Sequence, residues 1–296
     1  MTDSESQSTI NVLLLAGDFY PTKSGGAFID RNLATHLTDV GDRVTVVTPR
    51  VEGAPLTETV DGVEIRRPFR GPGSDTPANS PKGIFWRVLF LVLVFPSLLW
   101  MVWRRDYDVI YSTNHLFHPI ASVLRFLFRV PLVTFVGYSP SIHDDVSLTD
   151  PLLLLERMNF RFFMGDRALC QTPSVKEELN RLSAAKTMRI DGTVQKQDVL
   201  DAIQNATEEQ AVPATEESTI RLVYVGRLSS LKQPLKLVSL LDKLPEDYKL
   251  VIVGDGPQRD DVEEMVQNRQ LENRIDLTGR LAHETTLQTI YDSDLL

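Results

Sequence analysis

The chain has 296 residues, 42% hydrophobic and 24% charged, with a formal net charge of −9. At about 150 residues per domain the length fits two globular domains, and the acidic balance excludes nucleic acid as the main partner, because neutralising phosphates needs a basic footprint. The single cysteine, Cys170, excludes an intrachain disulfide framework and any multi-cysteine zinc site.

Residues 1–9 are polar and acidic with no apolar core of a secretory signal, so the expected location is the cytoplasm. The bases divide into 22 Arg and 9 Lys, which suits a salt-rich cytoplasm and equally a GC-biased code. Residues 10–16 form an apolar run fit for a strand buried on both faces. A loop over 17–26, rich in Gly, Pro and Ser, leads to a helix over 27–40 with Phe28, Leu33, Ala34 and Leu37 at helical spacing. Gly41 closes it, and 43–48 is a second strand. Strand, helix, strand in that order implies a right-handed crossover in a parallel sheet.

The rhythm continues with strands over 63–66, 109–112, 132–136, 167–171 and 187–190, and helices over 117–128, from Asp150-Pro151, and over 174–182. This gives a first domain over 1–203. Residues 204–218 have the composition of a surface linker. A second domain over 219–296 is predicted to hold strands over 220–225, 249–253 and 274–277, and helices over 231–243, 257–269 and 284–291. The fold class is therefore α/β, with two Rossmann-like doubly wound domains, the second incomplete.

Ligands of open α/β sheets bind beyond the carboxyl ends of the strands. Gly226 and Arg227 follow the first strand of the second domain, and Lys232 is placed at the start of its helix. Arg forks onto phosphate oxygens and Lys adds a point charge, so this group suits a diphosphate; two solvated surface cations are the plain alternative. The segment lacks the second glycine and the Lys-Ser/Thr pair of a Walker loop. Gly254-Asp255-Gly256-Pro257 reads as a tight turn, since Arg259 occupies the third glycine position of a dinucleotide fingerprint. In the first domain, Gly25 and Gly26 stand before a helix, where backbone can approach a ligand. His115, His118 and His143 lie near strand ends as candidate bases. No histidine has metal-ligand spacing, and Ser139 and Ser141 lack the Gly-x-Ser-x-Gly setting of a hydrolase nucleophile.

VYVGRLSSLKQPLKLVSLL, LVIVGDGPQRDDVEEMV and RIDLTGRLAHETTLQTIYDSDLL resemble three consecutive blocks of the family-4 glycosyltransferases, also called glycosyl transferases group 1. GDFYPTKSGGAFIDRNLATHLTDVGDRVTVVTP resembles the opening of that family, and ALCQTPSVKEELNRL with RIDGTV the end of its N-terminal domain. The resemblance implies the GT-B fold, two Rossmann-like domains facing across a cleft, with no cofactor and no metal needed at the chemistry. It implies a nucleotide-diphosphate sugar as donor, a glycan or lipid-linked acceptor, and retention at the anomeric carbon. Under it, Gly226, Arg227 and Lys232 bind the donor diphosphate, Gly25 and Gly26 approach the phosphate, and Gly254 and Leu281 lie by the nucleoside. The family often carries a histidine after the strand that here reads LVTFVGYSP; Val136 stands at that position, and His143 is the substitute catalytic candidate.

The family's Glu–seven residues–Glu motif falls beyond DSDLL. The expectation is therefore a chain whose fourth strand starts at Asp294, whose 220–225 strand is an open apolar edge, and whose turnover and solubility alone are poor. A non-catalytic fragment, or half of a split enzyme complemented by another chain, is the second reading, and a sugar-nucleotide epimerase of similar architecture the third. Residues 88–103 contain 14 apolar residues of 16, short for a membrane span of about 20 residues. They read as a buried helix of the first domain or as a monotopic surface docking on anionic lipid at the inner face of the membrane.

Overall fold

The computed structural model describes residues 9–22, 24–71, 81–137, 151–190 and 219–296. The chain divides into two units, Met1–Thr193 and Val194–Leu296; the expected linker at 204–218 lies outside the described residues.

The first unit is built on β1 (Asn11–Leu15), β2 (Arg43–Val47), β3 (Thr57–Val60), β4 (Val63–Arg66), β5 (Val109–Ser112), β6 (Leu132–Val136), β7 (Arg167–Cys170) and β8 (Lys186–Arg189). They form one sheet in the order β3-β4-β2-β1-β5-β6-β7-β8, parallel throughout except for the β3–β4 hairpin. Its helices are α1 (Gly25–Asp39), α2 (Pro81–Arg104), α3 (His118–Phe128), α4 (Pro151–Phe162) and α5 (Pro173–Leu182). β1 shows why its apolar run is buried on both sides. Val12 and Leu14 pack with Ala34 of α1 in one core, while Leu13 and Leu15 pack with Phe90 and Leu98 of α2 and Leu124 of α3 in another. Right-handed crossovers require this: steps toward β4 put α1 on one face, and steps toward β8 put the other helices on the opposite face.

β3 was not predicted. Thr57-Glu58-Thr59-Val60 has no apolar alternation of its own, but Asp61-Gly62 turns it onto β4 with φ of 51° and 77°. Two positive φ values are what a two-residue hairpin turn needs, and Asp-Gly supplies them. Arg67, just past β4, is buried, with its guanidinium 2.6 Å from Glu58 and donating to the Tyr20 carbonyl.

α2 is only in part the buried helix of the first reading. Phe90, Val94, Leu98 and Met101 are buried against the sheet and α3. Yet every side chain exposed from Phe85 to Trp103 is apolar too: Phe85, Trp86, Val88, Val92, Leu93, Pro96, Trp100 and Trp103. The helix is half core and half uncovered apolar surface.

The second unit holds β9 (Ile220–Val225), β10 (Tyr248–Val253) and β11 (Ile275–Gly279), all parallel in the order β11-β10-β9. α6 (Pro234–Leu241) and α7 (Arg259–Asn268) cover one face through Val238, Leu241, Val262 and Val266, packed with Leu250 and Ile252. α8 (His283–Tyr291) buries none of its residues. After it the chain meets the free side of β9. Leu295 bridges Leu222 in parallel, its carbonyl accepting from Val223 at 2.8 Å, and the Asp294 carboxylate accepts from the Arg221 amide at 2.8 Å. Residues 294–296 thus stand where the fourth strand was predicted.

The helix predicted over 231–243 is broken. Ser230–Lys232 is a 3-10 turn, Gln233 takes φ of 52°, and α6 begins at Pro234. Proline disfavours the helical region for the residue before it and suits the first helical position, so it restarts the helix. Lys232 therefore sits in the connecting turn. Likewise α7 starts at Arg259, after Pro257.

Candidate functional site

In the first unit the strand order reverses between β1 and β5, the switch point at which an open sheet offers a crevice. β1 leads to Gly17 and Asp18 there, and β5 to Thr113, Asn114 and His115. A Cβ on Gly17 would meet the Asn114 side chain, which would have to turn aside. Ser24 caps α1: its Oγ accepts from the Ala27 amide at 3.1 Å and donates to the Asp18 carboxylate. Gly25 and Gly26 open α1 and are exposed. A Cβ on Gly25 would meet nothing within 4 Å, and one on Gly26 only ordinary contacts at 3.7 and 3.9 Å. The fold makes no packing demand for glycine at either position.

Beneath that turn, Asp30 is buried and accepts a hydrogen bond from Thr113 Oγ1 at 2.6 Å. Burial pushes its carboxyl up to about 7, with the Asp18 charge adding and the Thr113 bond opposing. Burial, with the Asp30 charge, also raises the Tyr111 phenol. Sequence reasoning passed over Asp30, although a signal was there: Ala27, Asp30 and Ala34 share the buried stripe of α1, and a carboxylate there needs a partner.

The histidines separate. His115 and His118 stack at 5.3 Å, and His115 lies 5.7 Å from the Phe160 ring. Burial lowers His115 to about 4, and burial plus neighbouring His115 lowers His118 to about 3. Both are neutral at pH 7, and fully buried His118 is part of the packing. His143, Ser139 and Ser141 lie outside the described residues. Val136 ends β6 buried with Phe160 and Met164, so that position faces the core.

In the second unit three glycines meet at the carboxyl ends of adjacent strands. The Gly226 amide donates to the Val253 carbonyl at 3.0 Å, and the Gly254 amide donates to the Gly279 carbonyl at 2.8 Å. Gly254 has φ of 145°, and a Cβ on it would collide with the Gly226 carbonyl; one on Gly256 would collide with the Leu228 carbonyl. Gly254 is thus required by the close approach of two loops, whatever else it touches. The result is a ledge bare of side chains. Arg227 and Lys232 follow on one side of it and Arg280 on the other, all exposed, and Arg227 and Lys232 form no ion pair among the described residues. Leu281 is half-buried just beyond β11. The structure therefore brings Gly226, Gly254, Arg227 and Leu281 to one end of one sheet. Arg280 was not anticipated, although it follows a strand as Arg227 does. A hollow of about 420 Å3 around Arg221, Lys249 and Asp276 lies toward the other end of this sheet. Among the described residues, no group of three or more His, Cys, Asp or Glu is placed to hold a metal.

Two open Rossmann-like sheets with helices packed against them are the architecture of the GT-B glycosyltransferases. The chain belongs to that class by family: residues 25–190 match the glycosyl transferase 4-like domain and residues 205–296 match glycosyl transferases group 1. It is 22% identical over 309 aligned residues to the GPI3 subunit of phosphatidylinositol N-acetylglucosaminyltransferase of Saccharomyces cerevisiae, across 96% of this chain and 62% of that protein. The chain thus spans about 62% of the length of that relative. Among solved structures it is similar to a sucrose-phosphate synthase of Thermosynechococcus elongatus, with a TM-score of 0.74 at 20% identity, covering 95% of this chain and 73% of that one. It is also similar to Anabaena HepE in complex with UDP-glucose, with a TM-score of 0.61 at 15% identity, covering 97% of this chain and 73% of that one.

Proposed function

We propose that this chain binds a nucleotide-diphosphate sugar and serves a glycosyltransferase that moves the sugar to a glycan or lipid-linked hydroxyl with retention at the anomeric carbon. The observation that carries the reading is the glycine ledge of the second unit, flanked by Arg227 and Lys232 as exposed cations that form no ion pair among the described residues. A side-chain-free strand end lets a phosphate approach backbone amides, and the guanidinium can fork onto two of its oxygens. In the reaction the bond from the anomeric carbon to the diphosphate breaks and the nucleoside diphosphate leaves with the electron pair. The acceptor oxygen bonds to that carbon, and its proton passes to an oxygen of the departing diphosphate. Charge grows on the leaving diphosphate, and Arg227 and Lys232 oppose that charge most strongly as the bond breaks. Gly25 and Gly26 are proposed as a further backbone approach to phosphate, since packing does not explain them. Gly254 and Leu281 are proposed to border the nucleoside. UDP-glucose bound in HepE, which shares the fold, supports this class of donor.

Calorimetric titration of the chain with UDP, GDP and ADP tests the site. Arg227→Ala should weaken the tightest of these by about 1.5–3 kcal/mol, with a similar or smaller loss for Lys232→Ala. Unchanged affinity in both variants would remove Arg227 and Lys232 from the site.

A further inference from the structure

α2, α3 and α4 pack side by side on one face of the first sheet, and their outward surface is unlike that of a soluble domain. Exposed large hydrophobic side chains on them are Phe85, Trp86, Val88, Val92, Leu93, Trp100 and Trp103 of α2, then Val123, Phe126 and Leu127 of α3, and Leu154, Met158 and Phe162 of α4. Those 13 are more than half of the 23 such residues among the described residues. A contiguous apolar face of this kind marks a contact with another apolar phase. The exposed charges on the three helices have one sign; of the acids beside them, Asp106 and Asp166 are exposed just past α2 and α4, and Asp166 is paired with Arg125 at 2.5 Å. The single acid on the three helices, Glu156, is buried, while Arg104, Arg129 and Arg161 are exposed at the margin. Arg104 lies 5.6 Å from the Trp100 and Trp103 rings, and Arg161 lies 6.0 Å from the Phe162 ring. Tryptophan beside arginine is the pairing favoured at a membrane interface, with the ring in the boundary layer and the guanidinium at the headgroups.

We propose that this face docks on the surface of an anionic phospholipid bilayer as a monotopic anchor. Phe85–Arg104 is long and apolar enough to cross a membrane. However, Phe90, Val94, Leu98 and Met101 are the cover of the first sheet, and withdrawing them would expose Leu13, Leu15 and Ile110 to water. The helix therefore lies along the bilayer with one side in the protein core and the other in the headgroup layer. Charge decides against a second copy of the chain as occupant. A two-fold interface sets a patch against itself, so it would oppose arginines to arginines with no exposed carboxylate on the helices to pair them. Anionic lipid supplies the missing sign, in a chain whose overall charge of −9 would otherwise keep it away.

The chain carries its own probe. Its three tryptophans, Trp86, Trp100 and Trp103, all lie on this face at 44, 53 and 68% exposure, so tryptophan emission excited selectively past the tyrosine band reads this surface alone. The intact chain is titrated with phosphatidylglycerol–phosphatidylcholine vesicles and with phosphatidylcholine alone, following emission and cosedimentation. The expected result is a blue shift with the anionic vesicles, quenching by acyl-brominated lipid, and weaker binding as salt rises. Arg104→Ser and Arg161→Ser should each weaken binding by about fivefold, and Phe126→Ser by about tenfold or more. Unchanged emission with the chain left in the supernatant would overturn the proposal. So would a blue shift without lipid that grows with protein concentration alongside a doubled mass, or binding by the three variants equal to wild type. The assay uses no sugar nucleotide, so its failure is separate from failure of the transferase reading.

Discussion

Replacing Asp30 by asparagine should stabilise the first unit above neutral pH and change little in acid. The carboxyl is buried, and its pKa is raised from 3.8 to about 7, chiefly by desolvation. A folded pKa above the unfolded value means that, between about pH 4 and 7, the folded state keeps a proton that the unfolded chain has released. Stability therefore falls as pH rises through that window and stays low above it. At about 1.4 kcal/mol per pKa unit, the ionised form costs about 4 kcal/mol by pH 8. Asparagine cannot ionise, and its carbonyl oxygen still accepts from Thr113 Oγ1, which now donates to Asp30 at 2.6 Å. Urea unfolding of wild type and Asp30→Asn from pH 4.5 to 8.5 measures this directly. The wild-type midpoint should drop across the window, while the variant shows a flatter profile and exceeds wild type at pH 8. Parallel profiles, or a variant less stable than wild type at pH 8, would refute the claim that a desolvated carboxylate sits under α1.

The glycines should divide by role. Gly254→Ala forces a Cβ into the Gly226 carbonyl at a φ of 145° and should destabilise the second unit by about 3 kcal/mol in denaturant titration. Gly25→Ala meets nothing and should leave thermal stability equal or raise it by up to about 1 kcal/mol, while weakening nucleotide binding if backbone approach is its use. On α2, Phe90→Ala should cost about 3–5 kcal/mol by opening the core; Trp103→Ser, on the outer face of the same helix, should stay within about 0.5 kcal/mol by the same unfolding assay.

Much of the fold was legible because burial on both faces leaves a plain signature. Residues 10–16 read as a strand for that reason, and β1 proved to feed two cores. β3 was missed because Thr57-Glu58-Thr59 carries no apolar pattern; its signal was the Asp61-Gly62 turn after it. The two-sided nature of α2 was not legible, since periodicity identifies a helix face only when the opposite face is polar. At the candidate site, Gly226 and Arg227 were singled out because they follow a strand, the place where such sheets bind ligands, and Gly254 only through the family resemblance. The reason for Gly254 was not legible, because its collision partner, the Gly226 carbonyl, is brought near only by the pairing of β9 with β10. Lys232 was assigned to a helix because the effect of Pro234 on Gln233 was passed over. The Asp30–Thr113 contact joins α1 to the end of β5 and exists only once both have packed.

The central claim is that a nucleoside diphosphate sits on the glycine ledge between Arg227 and Arg280, and backbone hydrogen exchange with and without saturating nucleotide tests it most directly. The account predicts slowed exchange in peptides covering 226–233, 254–258 and 279–281, with the Arg221–Lys249–Asp276 hollow unchanged. Protection confined to that hollow, or none at the three glycine turns while nucleotide is bound, would contradict it.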